Sequence, residues 1–383
     1  MSASKTVVIT SNTSWYLYNF RKNTILALIK KGYQVVAVSP KDDYSHKLAD
    51  LGAEYQHIEI DQGGTNPVKD LSTFLRFFAL YRKIRPSVVL NFTPKNNIYS
   101  TLASSLCGAK SVNNIAGLGM VFINENITAK LARFLYRISQ PRAHTIFFQN
   151  NEDKKLFAKH KLAPLKITDR VPGSGVDLNR FSWSPSNDDG VVRFLLIARM
   201  LYDKGIGYYV DAARQLKSRY GDNVEFCLLG FLDVNNPSAV SKFEMDGWVE
   251  EGIVNYLGTS DNVEVEVAKA DCMVLPSFYR EGVPKSLLEA CAMGKPIVTT
   301  DNVGCRETVD DGVNGYLCEP RSTSSLVEKL DLMINHSHDQ RLAMGVKSRA
   351  KVENEFDEKI VITKYLNAVE RALNGDKYHD GNI

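Results

Sequence analysis

Residues 271–300, DCMVLPSFYREGVPKSLLEACAMGKPIVTT, constrain this chain more than any other stretch. Residues 272–276 form an apolar run of strand length, and residues 296–300, rich in β-branched side chains, form a second. Between them Leu287, Leu288, Ala290 and Cys291 fall at helical spacing. Pro284 suits the first helical position, and Gly294 suits a C-terminal stop. The stretch predicts strand, loop, helix and strand, the repeating unit of a parallel α/β sheet. Ligands of such sheets bind beyond the carboxyl ends of the strands, so the loop at 277–283 is expected to open into a crevice.

In that loop Glu281 sits just before the helix, and Glu289 lies inside it. Backbone N–H groups over residues 283–286, Val283, Pro284, Lys285 and Ser286, with Gly282 leading in, are expected to point out of the helix start and attract phosphate oxygens. A carboxylate at each end of an anion site suits the sugars that flank a diphosphate. The pair is also what an ordinary surface helix carries, with Glu281 favouring the helix dipole and Glu289 solvated.

The length of 383 residues predicts two domains. No apolar run reaches the length of a membrane span, and the opening MSASKTVVITS does not read as a signal peptide, so a cytoplasmic protein is expected. Six scattered cysteines without a CxxC pair read as reduced core residues. Residues 1–189 carry 25 Lys and Arg against 14 Asp and Glu, and residues 190–383 carry 22 against 30, so a net charge of +3 conceals +11 and −8. That asymmetry points to a polyanion or an anionic membrane surface as partner of the first half.

Along the chain, residues 5–11, 17–31 and 34–39 read as strand, helix and strand. Further strands are expected at 55–60, 87–92, 111–115, 145–149 and 167–171, giving a doubly wound sheet. Helices at 65–86 and 128–141 combine apolar stripes with Lys69, Arg76, Arg82, Lys83, Lys130, Arg133 and Arg137. Such helices can lie on an anionic membrane, or can simply show a charged outer face above a core-facing one. Residues 173–189, PGSGVDLNRFSWSPSNDD with Pro172, read as a linker at the charge break. A second strand set is expected at 193–198, 223–230, 253–257, 271–276 and 296–300. After residue 198, RMLYDKG places Arg199 and Lys204 around a turn at a strand end, where two cations can grip a diphosphate or stand as exposed surface charges.

Glu281, Glu289 and the following Ala290, Gly294, Pro296 and Ile297 resemble the nucleotide-binding signature of the retaining glycosyltransferases of family 4, bacterial surface-polysaccharide and lipid-linked oligosaccharide type. These have the GT-B fold, two doubly wound Rossmann-like domains facing a central cleft. The resemblance implies an N-terminal acceptor domain at 1–172, a linker at 173–189, a nucleotide-sugar domain at 190–357, and a last helix at 358–374 packing back on the first domain. It assigns Arg199 and Lys204 to the donor pyrophosphate, Glu281 to donor-sugar hydroxyls and Glu289 to the ribose. Gly230 and Gly258 then border the nucleobase. The NNIAGLG loop, with Gly117 and Gly119, resembles the acceptor-side loop of these enzymes. The turn NTSWYLYNFR lacks the family's glycines, leaving Asn19 and Arg21 as candidates for the diphosphate, or Arg21 as a solvated helix residue. Residues 304–320 match the family's usual hairpin region, where Glu307 is structural.

The resemblance implies transfer of a sugar, an N-acetylated hexosamine, from a UDP-sugar to an isoprenyl-diphosphate-linked saccharide, with retention, on the inner membrane face. With no Asp-x-Asp triplet, no metal or other cofactor is expected, and no nucleic acid partner. A UDP-sugar 2-epimerase of similar architecture and a non-catalytic nucleotide-sugar binder are the alternatives.

Overall fold

The computed structural model describes residues 5–61, 66–118, 127–232, 234 and 236–376. The chain divides into two compact units, Met1–Ser174 with Lys359–Ile383, and Gly175–Glu358.

In the first unit short apolar runs alternate with helices, and the described residues give a seven-stranded parallel sheet of order β3-β2-β1-β4-β5-β6-β7. Its strands are β1 (Thr6–Thr10), β2 (Gln34–Ser39), β3 (Glu54–His57), β4 (Val88–Asn91), β5 (Lys110–Ile115), β6 (Thr145–Phe148) and β7 (Thr168–Arg170). Val8 of β1 stands between Val36 and Val89 of its neighbours. β4 and β6 are buried along their whole length, as strands covered on both faces must be. Helices α1 (Ser14–Lys30) and α2 (Ser45–Asp50) pack on one face through Leu17, Ile25, Leu28 and Leu48. The other face carries α3 (Pro67–Ile84), α4 (Thr101–Leu106), α5 (Ile127–Ser139) and α6 (Asn151–Lys159), anchored by Phe77, Tyr81, Ala103, Tyr136 and Phe157. α1 begins ahead of the expected residue 17 because Thr13 caps it, its hydroxyl accepting the Tyr16 N–H at 3.0 Å. Before α4 the chain makes a wide π-helical turn, Asn96–Ser100, with every residue buried.

The second unit holds a six-stranded parallel sheet of order β10-β9-β8-β11-β12-β13. Here β8 is Val192–Ile197, β9 Val224–Leu229, β10 Asn255–Tyr256, β11 Cys272–Leu275, β12 Ile297–Thr300 and β13 Gly315–Cys318. Between and after them run α7 (Ile206–Tyr220), α8 (Lys242–Glu250), α9 (Val263–Lys269), α10 (Lys285–Ala292), α11 (Thr323–Asn335) and α12 (His338–Glu355). The expected hairpin at 304–320 is not one. Its second part is β13, parallel to β12, admitted because a β-carbon on Gly315 would fall 1.9 Å from the Ile297 carbonyl oxygen and glycine has none. Its two end residues are buried, and Tyr316 and Leu317 between them are partly buried against the core.

α13 (Glu358–Asn374) follows the second unit in sequence but belongs to the first. Val361, Tyr365, Ala368, Val369 and Ala372 form its inward stripe. All six cysteines are free thiols.

Candidate active site

The candidate residues of the second unit sit on loops leaving the strand ends. After β8 the chain enters one tight turn, Tyr202–Lys204, and Gly205 leads into α7. Gly205 has φ of +83°, and a β-carbon there would stand 2.1 Å from the Pro276 carbonyl oxygen. Only glycine fits, so the DKG turn packs its backbone on the end of β11. The Asp203 carbonyl then accepts the N–H groups of Phe278 and Tyr279, both at 3.1 Å. This seam delivers Lys204 to Glu281, ammonium against carboxylate, with side chains only 14% and 12% exposed. Ser277 Oγ lies 3.0 Å from the same carboxylate oxygen.

Tyr279 stands among these groups, the Lys204 ammonium 5.2 Å from its ring centroid. Burial pushes its phenol pKa up, the Glu281 carboxylate adds to the rise, and the exposed Arg199 opposes it. The structure brings Lys204 and Glu281 together just ahead of α10, and the charge of Arg199 acts on the same Tyr279 hydroxyl.

α10 begins at Lys285. Pro284 is its N-cap residue, with φ of −64° and ψ of 120°, not its first helical one, and no side chain caps the helix. Proline has no N–H, so Pro284 shapes the helix start but donates nothing to it, a correction to the amide row expected over 283–286. The first-turn amides at Lys285 and Ser286 face the helix start, as at any helix N-terminus. Val283 is buried. Sequence reasoning missed the support beneath this loop. A β-carbon on Gly304 would stand 1.8 Å from the Gly282 carbonyl oxygen, and Asn302 Nδ2 donates to the Tyr279 carbonyl at 2.9 Å. The Asn and Gly that follow β12 were the available signal, both being turn residues.

Glu289 is 9% exposed, so the solvated reading does not hold. Burial raises its pKa, and Lys285, with Nζ at 3.8 Å, and Arg180 oppose the rise. Each carboxylate therefore has a cation beside it. Gly230 donates its N–H to the Gly258 carbonyl at 2.7 Å. At φ of +145° its missing β-carbon leaves room for the Ala198 carbonyl, which would otherwise be 1.8 Å away. The loops after β8, β9 and β10 meet there, next to Arg199. Glu307 falls in a separate short turn, Arg306–Thr308.

In the first unit, Arg21 is neither solvated nor presented to a ligand. Leu17, Arg21, Ile25 and Leu28 share the buried stripe of α1, which was the signal in the sequence. The guanidinium lies 4.3 Å from the Phe92 ring centroid and 5.5 Å from that of Tyr365, and donates to the Tyr16 hydroxyl at 3.2 Å. Asn19 donates to the Trp15 carbonyl of its own helix at 3.0 Å. Gly117 follows β5 with φ of +112°, and Gly119 lies outside the described residues.

Two doubly wound parallel-sheet units, one carrying cations, helix-start amides and carboxylates on its strand ends, define a nucleotide-sugar glycosyltransferase of the GT-B fold. A Glycosyl transferase 4-like model matches residues 6–150, and a Glycosyl transferases group 1 model matches residues 192–336; the chain belongs to this glycosyltransferase family. It is 29% identical, over 93% of this chain and 96% of the other, to the N,N'-diacetylbacillosaminyl-diphospho-undecaprenol alpha-1,3-N-acetylgalactosaminyltransferase of Campylobacter jejuni. It is 25% identical, over 76% of both chains, to the UDP-Gal:alpha-D-GlcNAc-diphosphoundecaprenol alpha-1,3-galactosyltransferase of Escherichia coli. In fold it is similar to a glycosyltransferase from Rickettsia africae, with a TM-score of 0.77, 17% identity and coverage of 98% and 100% of the two chains.

Proposed function

We propose that this glycosyltransferase moves an N-acetylated hexosamine from a UDP-sugar to an isoprenyl-diphosphate-linked saccharide, with retention of anomeric configuration, at an anionic membrane surface. The observation that carries the donor side is the pairing of Lys204 with Glu281 beside Tyr279 ahead of α10, with the charge of Arg199 acting on the same hydroxyl. The acceptor class is that of the two bacterial relatives, both of which act on undecaprenol-diphosphate saccharides.

The difficult step in such a transfer is breaking the bond between sugar and diphosphate, so charge on the leaving group must be stabilised. Arg199, Lys204 and the first-turn amides of α10 supply that stabilisation. Lys204, now paired with Glu281, then shares its ammonium with the diphosphate, and Glu281 accepts hydroxyl groups of the donor sugar. Glu289 accepts the ribose hydroxyls. The chain's own cations carry this account without a metal ion, so turnover is expected to survive a chelator. UDP release that requires an isoprenyl-linked acceptor, across a panel of UDP-sugars, is the expected result. UDP-sugar interconversion with no acceptor present overturns the reading.

Membrane docking is supported by outward residues on one sheet face of the first unit. Val68, Leu71 and Leu75 of α3 are exposed, as are Ile127, Leu131 and Phe134 of α5. Lys69, Arg76, Arg82, Lys83, Lys130 and Arg137 lie exposed among them. No helix among the described residues is long and apolar enough to cross a membrane. Co-sedimentation with anionic vesicles should exceed that with neutral ones and fall on Leu71→Glu with Phe134→Glu. Equal sedimentation with both vesicle types removes the docking surface.

A further inference from the structure

One cation near the donor carboxylates has no role in the proposed transfer. Arg180 sits between the start of the second unit and β8, on a turn whose course Asp177 fixes. Asp177 Oδ1 accepts the N–H groups of Asn179 at 2.9 Å and Arg180 at 3.2 Å. From this turn the guanidinium forks onto two neighbouring pieces of backbone and side chain. Nη2 donates to Glu264 Oε2 and to the Asp261 carbonyl, both at 2.8 Å, and Nε lies 3.3 Å from Glu264 Oε1. Phe181 backs the fork, its ring centroid 5.0 Å from the guanidinium carbon.

Glu264 belongs to the first turn of α9, and Asp261 lies in the loop leading into it from Gly258. That loop is tied in turn to Gly230 through the Gly258 carbonyl. Arg180 thus fastens the loop assigned to the nucleobase at its far end. It also acts through its charge on the buried Glu289, as do Lys285 of the same helix, with Nζ at 3.8 Å, and Glu264 of α9. Arg180 attracts the Glu289 charge, and Glu264 repels it. Without Arg180, Glu264 loses its bidentate partner and only Lys285 is left to offset its repulsion of Glu289, a consequence larger than the loss of one hydrogen bond.

We infer that Arg180 is a positioning residue for the nucleoside half of the donor, fastening the 258–262 loop through Asp261 and Glu264 and shielding Glu289 from Glu264. The inference rests on the assignment of Glu289 to the ribose. It needs neither the sugar nor the acceptor to be known, because UDP alone is a sufficient probe.

Calorimetric titration of the full chain with UDP tests it. Arg180→Ala should weaken UDP about tenfold, Arg180→Lys by no more than about threefold, and Arg180→Ala with Glu264→Gln less than Arg180→Ala alone. That partial recovery is what a purely structural role does not produce, since the double variant lacks the loop tie as well. In steady-state assays Arg180→Ala should raise the donor KM with kcat and acceptor KM held within about twofold. If Glu289→Gln weakens UDP and Arg180→Ala does not, or if the double variant binds worse than Arg180→Ala, the inference is overturned and the ribose assignment stands. Unchanged UDP binding by Glu289→Gln overturns the assignment itself, and the inference with it. Should Arg180→Ala not fold, Arg180→Gln against Arg180→Lys makes the same comparison.

Discussion

Lys204 and Glu281 show why single residues of this site cannot be judged by charge alone. Their pairing in a largely buried setting means that removing one partner strands the other. Lys204→Met is expected to destabilise the second unit by about 2 kcal/mol, and adding Glu281→Gln should recover most of it, measured by denaturant unfolding of the three variants. Glu281→Gln alone should cost turnover far more than stability, about a hundredfold in kcat. Lys295 offers a test that catalysis does not touch. Its Nζ donates to the Ala268 carbonyl at 2.9 Å, and burial pulls its pKa down to about 8, with Asp271 opposing. The unfolded chain therefore holds this proton up to higher pH than the folded one does. Between pH 8 and pH 10 stability should rise by on the order of 2 kcal/mol from this group, and the rise should vanish in Lys295→Met. Of the candidate residues, the places of Arg199, Lys204 and Glu281 on loops after strands were legible in the sequence, and Glu289 inside the helix that follows was marked by the family resemblance. Arg180 was not, because nothing in a linker sequence says which loop an arginine will reach.

At the scale of elements, glycines set where loops may touch. Gly205 joins the Tyr202–Lys204 turn to α7 at a positive φ and against the Pro276 carbonyl. Gly205→Ala must strain the backbone and push the turn off β11, so a loss of at least about 2 kcal/mol is expected, with turnover falling because Lys204 moves with the turn. Intact turnover in a folded Gly205→Ala variant contradicts this seam. Helix periodicity found α1, α3 and α5, since each buries a stripe, but missed the π-helical turn at Asn96–Ser100. There polar side chains are buried, Asn96 donating to Thr10 Oγ1 at 2.7 Å and Ser100 to Asn91 Oδ1 at 2.7 Å. A sequence read for apolar periodicity finds only Ile98 and Tyr99 between polar neighbours there, too short a run to mark a helix.

For the whole molecule, the connectivity matters most. α13 leaves the second unit and completes the core of the first, where Tyr365 packs edge-on to Phe92 and Phe147 and donates to Asn114 Oδ1 at 2.9 Å. Tyr365→Ala should cost the first unit about 3–5 kcal/mol, partly because Arg21 loses one of the rings around it. Limited proteolysis should then cut the first unit well before the second. By itself the sequence determined the two parallel sheets and the strand-end loops, because strands buried on both faces must be apolar runs and each helix between them must carry a stripe. Only the tertiary structure decided which charges meet. The Lys204 and Glu281 contact, the Arg180 fork and the burial of Arg21 all join groups brought together by packing, and neither composition nor periodicity records which side chains a fold makes neighbours.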